Sequence, residues 1–470
     1  MSKDLKDHRQ IGKELDLFSF HDVAPGAVFW HDKGYRIYKN LVEFLRKSIL
    51  SKGYEEISTP VMVKSDLFQQ SGHWNFYKEH MLNLVVYDPA EADEIDGLLK
   101  GSEETKRIID DFEMSKVTQK TGEPWANRIW PVKLKSGKEV QISITVVKSN
   151  GKHVLHRDFV ENYSLKPMNC PEATLVYSTK PRSYRDLPIR LAEFGTLNRN
   201  ELFGVLGGLF RVRQFTIDDA HHFVRPDQIS AEIQELLVFT VDFYKKFGFE
   251  TSFYLATRPE KAMGDVKLWE KAENDLETAL KKAHVTYGVK EKDGAFYGPK
   301  IDIHIKDSQD RDWQLATIQL DFQIPEKMKL EYTDSDGKPK RPVMVHRGIL
   351  GSIERFIGIL IEHYQGAFPL WLSPVQVVVL AVSDKNNETA KKVYAKLVEK
   401  DVRVELNTDN KTLGNKIREA TLQKIPYMII IGDKESEKSV SVRTREGKDL
   451  GQIDLYKFIE SLQEKIEKFQ

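Results

Sequence analysis

The stretch from Phe194 to His222, FGTLNRNELFGVLGGLFRVRQFTIDDAHH, concentrates side chains able to do chemistry. Two runs with strand character flank a loop punctuated by Gly204, Gly207 and Gly208. Side chains alternate across a strand, so Arg199 and Glu201 share one face. Arg211, Arg213, Phe215, Ile217, Asp219 and His221 share another. That second face gathers cations, an aromatic ring, a carboxylate and an imidazole. Buried charges must be paired, so such a face either holds a ligand or lies in water with its own salt bridges. The same parity separates two neighbouring histidines: His221 joins the cluster, and His222 points the other way.

The chain has neither a GxxxxGK[ST] phosphate loop nor a GxGxxG turn after a strand. If a nucleotide binds, arginines on strands must hold its phosphates. Arginine suits that task because its planar fork matches phosphate oxygens in pairs. Arg355, in Ile353-Glu-Arg-Phe after Gly348 and Gly351, supplies another such fork at a helix start. Cys170, the only cysteine, lies in Met168-Asn-Cys-Pro. A lone cysteine is ordinarily a buried apolar filler, and a lone histidine such as His346 an ordinary satisfied polar residue.

The elements that must position these residues are legible in outline. Tyr35, Tyr38, Val42, Leu45 and Ile49 recur at helical spacing behind Asp32, the expected N-cap, with Gly53 as the stop. A strand is expected from Tyr54 to Pro60. Strand patterns follow at Ile189–Leu197, Phe210–His221, Ile301–Ile305, Trp313–Phe322 and Val343–Val345, and Ser352–His363 reads as a helix. Together they predict a mainly antiparallel sheet with helices around it. After Ser373-Pro374 strands and helices alternate: Val375–Val382, Glu388–Lys400, Val402–Leu406, Leu413–Gln423, Tyr427–Ile431, Val440–Thr444 and a last helix, Leu455–Phe469. This predicts a separate α/β domain with a partly parallel sheet. Between them, residues 88–128 are acidic and weakly helical. The runs 129–135 and 139–147 alternate around Ser136-Gly137 like a hairpin. Residues 88–160 therefore read as an inserted subdomain with a solvated acidic face.

The 470 residues allow two or three domains, and 71 basic residues balance 71 acidic ones. A wholly electrostatic nucleic-acid binder would be basic, so only a local basic groove remains open. One cysteine excludes an internal disulfide and a cysteine-only zinc cluster. Met1 to Phe20 carries Asp4, Asp7, Glu14 and Asp16, which fits neither a signal nor a transit peptide. The apolar runs are far shorter than the ~18–20 residues that span a bilayer. A cytoplasmic location is the expectation.

The order of these segments resembles the three motifs of class II aminoacyl-tRNA synthetases: a helix and strand ending in Pro60, a strand–loop–strand with Arg199, Glu201 and Phe215, and a glycine-rich helix start with Arg355. In detail the chain resembles the threonyl-tRNA synthetase family. PGAVFWHDKGYRIYKNLVEFLR, SGHWNFYKEHM, KPMNCP, SYRDLPIRLAEFG, RVRQFTIDDAHHF, GAFYGPKIDI, TIQLDF and PVMVHRGILGSIERFIGIL all recur there, and IPYMIIIGDKE and VSVRTREGKDLG resemble its anticodon-binding domain. The resemblance implies an α+β protein: a class II catalytic domain on an antiparallel sheet over residues 25–370, after an N-terminal extension over 1–24, and a C-terminal α/β anticodon-binding domain over 371–470.

It also implies roles. Cys170, His221 and His346 would bind one Zn²⁺ per subunit, leaving an open position for the amino nitrogen and hydroxyl of L-threonine. Asp219 would accept the hydroxyl proton, and Met168, Tyr297, Lys300 and Gln319 would line the amino-acid pocket. Arg199 would bridge carboxylate and α-phosphate. Glu201 would accept from the adenine amino group, Phe215 would stack on the base, Gln314 would line the ATP pocket, and Arg211 and Arg355 would hold the γ-phosphate with Mg²⁺. Asn410, Glu435 and Arg443 would read the anticodon of tRNA(Thr). A homodimer is expected. The resemblance is to the form lacking an N-terminal editing domain, so mischarged Ser-tRNA would fall to a separate protein acting in trans.

The chain departs from the family pattern at Glu172-Ala173, where Gly-His is usual, and at Ile217, where glutamine is usual. The inserted 88–160 segment is a further departure. Seryl, prolyl and histidyl enzymes share the fold, but Cys170, Asp219, His221 and His346 together favour threonine. A non-catalytic RNA-binding relative remains the reading from another class, opposed by the intact Arg199, Glu201, Arg211, Phe215 and Arg355.

Overall fold

The alternating segments between 189 and 352 pair into one twisted sheet. In this computed structural model residues 5–86, 94, 97, 128–133, 135, 137, 139–149, 152–159 and 161–469 are described. They fall into two units, Met1–Thr59 with Glu172–Gln470, and Pro60–Pro171.

The first unit holds an eight-stranded sheet in the order Tyr287–Lys290, Thr251–Ala256, Lys300–Lys306, Asp312–Asp321, Val343–Ser352, Gln214–Val224, Ile189–Asn198, Glu55–Glu56. Only the two edge pairings are parallel, and the six central strands run antiparallel, as the alternation predicts. Helices Asp32–Leu50, Ile229–Lys245 and Ile353–His363 bury apolar faces in the same core as the sheet, through residues such as Leu41, Leu45, Ile233, Leu237, Phe356 and Leu360. Burial of that area is the main stabilising term.

Two local expectations differ from the structure. The N-cap of helix Asp32–Leu50 is His31, not Asp32. Asp32 already sits in the first turn, where its charge favours the positive end of the helix and pairs with Arg36 at 2.9 Å. The strand expected from Tyr54 to Pro60 shrinks to Glu55–Glu56, the stretch that pairs beside Leu191 and Ala192.

The same unit carries a five-stranded sheet in the order Val404–Asn407, Val377–Ala381, Tyr427–Ile431, Ser439–Thr444, Asp449–Asp454. Its first three strands are parallel and the last two antiparallel. Val377, Val379 and Ala381 pack into one cluster, and Val378 and Leu380 into another on the opposite face. Burial on both faces is why that strand reads as an unbroken apolar run. Arg403 donates to the carbonyls of Ser373 (2.8 Å) and Trp371 (2.7 Å), tying this sheet to the preceding linker.

The second unit contains two three-stranded antiparallel sheets. One orders Met62–Lys64, Glu161–Leu165 and Leu82–Val86, and the other Arg128–Lys133, Glu139–Ser149 and Lys152–Phe159. The hairpin expected around Ser136-Gly137 is present, extended by a third strand. The acidic stretch expected at 88–128 lies outside the described residues except for Glu94, Gly97 and Arg128. No helix among the described residues is long and apolar enough to cross a membrane.

Candidate active site

Strand register builds the centre of the site. Leu191 lies opposite His221, His221 opposite His346, His346 opposite Gln319, and Gln319 opposite Lys300. Directly opposed residues point to the same face, so four of the expected pocket residues form one row across the sheet. The tyrosine expected beside them stacks on it: the Tyr297 ring lies 4.8 Å from that of His346, nearly parallel, and its hydroxyl donates to Gln319. Asp219 stands two residues before His221, with a carboxylate oxygen 3.7 Å from His221 Nε2. Both histidines are buried. His222 takes the other face, between the Glu232 carboxylate (2.8 Å) and the Tyr54 hydroxyl (3.0 Å), and is a structural residue.

Asp321 was not foreseen. Its carboxylate is fully buried, accepts from the amides of Gln323 (2.7 Å) and Ile324 (3.0 Å), and lies 3.0 Å from His346 Nε2. A carboxylate only accepts, so Nε2 carries the proton and Nδ1 keeps its lone pair.

Cys170 opens helix Cys170–Tyr177. Its sulfur lies 3.1 Å from His73 Nε2, and the Ser71 hydroxyl lies 2.9 Å from the other ring nitrogen. Cys170 is buried at the end of one unit, and His221 and His346 are buried opposite each other on neighbouring strands of the other. A buried thiol, two buried imidazoles and one tautomer already fixed by a carboxylate make a donor set that suits zinc.

A second cluster lies on the loop side of strand Gln214–Val224. Here the parity expectation needs correcting: Arg211 and Arg213 precede the strand, so they share no pleat with Phe215. The Arg213 amide donates to the Gly26 carbonyl at 2.7 Å, outside the sheet. Arg199 instead lies over the Phe215 ring, with 5.0 Å between guanidinium carbon and ring centre. Arg211 Nε donates to Glu201 at 3.1 Å. Arg355 Nε donates to the Phe210 carbonyl at 2.9 Å, and Ser352 caps its helix. Burial, then the nearby charges of Arg199 and Arg211, pull the Arg355 pKa down, and Glu201 only partly offsets this. One carboxylate among three guanidiniums leaves positive charge that a polyanion would neutralise.

Gln314 and Lys300 share a partner, each donating to a different oxygen of the buried Asp302, at 2.6 and 2.8 Å. Ile217 is half-buried and packs against the Phe215 cluster with Leu197 and Val212, so the unusual residue extends an apolar wall. Glu172 is buried and Ala173 fully so. Met168, half-buried, lies just before the Cys170 helix.

Glu354 is a further residue the sequence did not reveal. Strand Val343–Ser352 ends opposite Ile217, so the Thr216 amide lies beyond its ladder. Both Glu354 oxygens accept that N–H, at 3.0 and 3.1 Å. Burial pushes this carboxyl up to about 8. The unfolded chain ionises it near the ordinary carboxylate value, so between there and pH 8 the native state holds the extra proton. Its contribution to stability therefore falls as pH rises through that window. Glu354→Gln cannot titrate. Its stability relative to the parent is expected to improve steadily from pH 5 to pH 8, read from urea midpoints at each pH.

In the C-terminal sheet, Asn410 is exposed and follows strand Val404–Asn407. Glu435 accepts from the Gly432 amide (2.8 Å) and the Ser441 hydroxyl (2.7 Å). Arg443 stands two residues beyond Ser441 on the half-exposed face of strand Ser439–Thr444.

Comparison with known proteins accords with this arrangement. Residues 153–364 match the tRNA synthetase class II core domain (G, H, P, S and T), and 376–465 match an anticodon binding domain. The threonine–tRNA ligase of Caldanaerobacter subterraneus subsp. tengcongensis is 47% identical over 98% of this chain. That of Carboxydothermus hydrogenoformans is 46% identical over 97%. The chain spans 61% of the length of each of these relatives. A crystal structure described as the RNA binding domain of threonyl-tRNA synthetase from Cryptosporidium parvum Iowa II superposes with a TM-score of 0.79 at 34% identity, covering 98% of both chains. With a class II core, an anticodon-binding domain and relatives of this identity along nearly its whole length, the chain belongs to the threonyl-tRNA synthetase family.

Proposed function

We propose that this chain is a threonine–tRNA ligase. It activates L-threonine with ATP to threonyl-adenylate and pyrophosphate, then transfers threonine to the 3′ end of tRNA(Thr). The observation that carries the reading is the row of His221, His346, Gln319 and Lys300 beside Asp219.

Bound zinc, one per subunit, would supply a Lewis-acid position for the amino nitrogen and hydroxyl of threonine. Cys170, His221 and His346 would hold it, with Asp321 fixing the His346 tautomer and His73 bonding the Cys170 sulfur. Asp219 accepts the threonine hydroxyl proton. Tyr297, Gln319, Lys300 and Met168 enclose the amino acid. Valine has the same shape but no hydroxyl, so it would offer Asp219 no hydroxyl proton to accept. A site built for a hydroxyl discriminates by ~10⁴ or more, against ~10² for packing alone.

For the first step Phe215 stacks on adenine and Glu201 accepts from its amino group, with Gln314 lining the pocket. Arg211 and Arg355 would take the γ-phosphate, and Mg²⁺ bound with ATP would supply further neutralising charge. Arg199 lies between the threonine carboxylate and the α-phosphate. A carboxylate oxygen attacks the α-phosphorus, the bond to pyrophosphate breaks, and Arg199 neutralises the charge that builds on the α-phosphate oxygens. In the second step a ribose hydroxyl of the terminal adenosine attacks the carbonyl carbon and AMP leaves. Asn410, Glu435 and Arg443 read the anticodon.

We further propose a cytoplasmic homodimer. Hydrolysis of mischarged Ser-tRNA would be the work of a separate protein in trans.

The test is aminoacylation by the purified chain with ATP, Mg²⁺, labelled amino acid and a tRNA(Thr) transcript. Threonine should be esterified at least 10³-fold more efficiently than valine or proline. Charging of proline but not threonine, or of nothing at all, would overturn the reading.

A further inference from the structure

Residues before Pro25 have no part in the chemistry above, yet one of them reaches the nucleotide loop. Helix His8–Glu14 packs against helix Ile353–His363, and His8 is 3% exposed. Its Nδ1 lies 2.7 Å from a Glu362 oxygen, and its Nε2 lies 3.0 Å from the Leu209 amide nitrogen. Glu362 can only accept and the Leu209 amide can only donate. One neutral tautomer, protonated on Nδ1, satisfies both. Glu362 is anchored in turn by the His8 amide (2.9 Å), Arg311 and Gln309.

The turn it grips is shaped for it. Gly208 has φ +54°, and a Cβ there would meet His8 Nε2 at 2.2 Å, so only glycine admits the imidazole. The Phe210 ring lies 4.1 Å from the His8 ring. The Phe210 carbonyl accepts from Arg355 Nε at 2.9 Å, and Arg211 follows directly. From His8 to Arg355 there is thus one hydrogen bond, one peptide unit and one further hydrogen bond.

We infer that His8 is a positioning residue for ATP: it pins the Gly208–Leu209–Phe210 turn so that the Phe210 carbonyl aims Arg355, and Arg211 follows, toward the triphosphate. The inference rests on the assignment of those arginines to ATP. It predicts that a residue 347 positions away from Arg355 tunes nucleotide affinity without touching the nucleotide.

The test uses the full chain with His8→Ala and His8→Gln. Glutamine places an amide oxygen near the position of Nε2, where it can accept from the Leu209 amide. His8→Ala should raise the ATP KM in threonine-dependent pyrophosphate exchange about 10-fold, the size of one lost buried hydrogen bond. The threonine KM and bound zinc should stay unchanged, and His8→Gln should restore the ATP KM to within about 3-fold. Binding of a non-hydrolysable ATP analogue, measured by calorimetry, should shift in the same order. It reads the inference even if the parent chain exchanges with another amino acid, an outcome that would sink the proposed function alone. An unchanged ATP KM and analogue affinity in His8→Ala would overturn the role. So would threonine and ATP KM rising together with a fall in unfolding midpoint, or His8→Gln behaving like alanine.

Discussion

Alanine in place of Cys170 is expected to remove bound zinc and threonine activation together, lowering exchange with threonine by about 10⁴-fold. Cys170 is the chain's one cysteine, and the other two proposed ligands are imidazoles. Two neutral imidazoles alone leave a zinc ion short of ligands and charge, and it would be lost to solvent or chelator. The ATP side should be spared, because Arg199, Arg211, Phe215 and Arg355 depend on other contacts. Metal analysis, threonine-dependent exchange and ATP-analogue affinity on one preparation read all three. A graded companion is Asp321→Ala. It leaves every ligand present but frees the His346 ring, and should weaken zinc retention by ~10–100-fold. Full zinc and normal activity in Cys170→Ala would refute the ligand assignment.

The second large effect falls on Arg199. Arg199→Ala should lower kcat and kcat/KM for threonine-dependent exchange about equally, by roughly 10³-fold. That is the upper range for removing one donor aimed at charge that develops in the transition state. In this structure the guanidinium lies over the Phe215 ring, 5.0 Å from its centre, a cation–π contact. Arg199→Lys keeps the charge but loses the planar fork and the stacking, and should recover only part of the rate. An ATP KM raised with kcat intact would mean that Arg199 binds ATP uniformly and does not act on the transition state.

The antiparallel sheet and the C-terminal α/β domain were legible because strand alternation and strand–helix order are local signals. Parity also separated His221 from His222 correctly, since both lie well inside one strand. It failed for Arg211 and Arg213, which lie before the pleat begins at Gln214. Helices Ile229–Lys245 and Val266–Lys282 went unmarked amid strand signals.

The residues that tune the site were the least legible. Asp321 lies 25 positions from His346, and His8 lies 201 from Leu209. Glu354 looks like a solvated helix residue but is buried beneath a strand end. No spacing rule connects such pairs; only the register of four strands and the docking of two helices do. The row of His221, His346, Gln319 and Lys300 has the same character. Each residue sits on a different strand, so only the resemblance, not periodicity, could join them.

The proposed ligase would select threonine through a zinc site. The most direct measurement is ATP–pyrophosphate exchange by the parent chain across threonine, serine, valine and proline, before and after chelation and again after zinc is restored. Strong exchange with threonine is expected, appreciable exchange with serine and almost none with valine or proline, abolished by chelation and recovered with zinc. Exchange with threonine that survives complete zinc removal, or that valine matches, would contradict it.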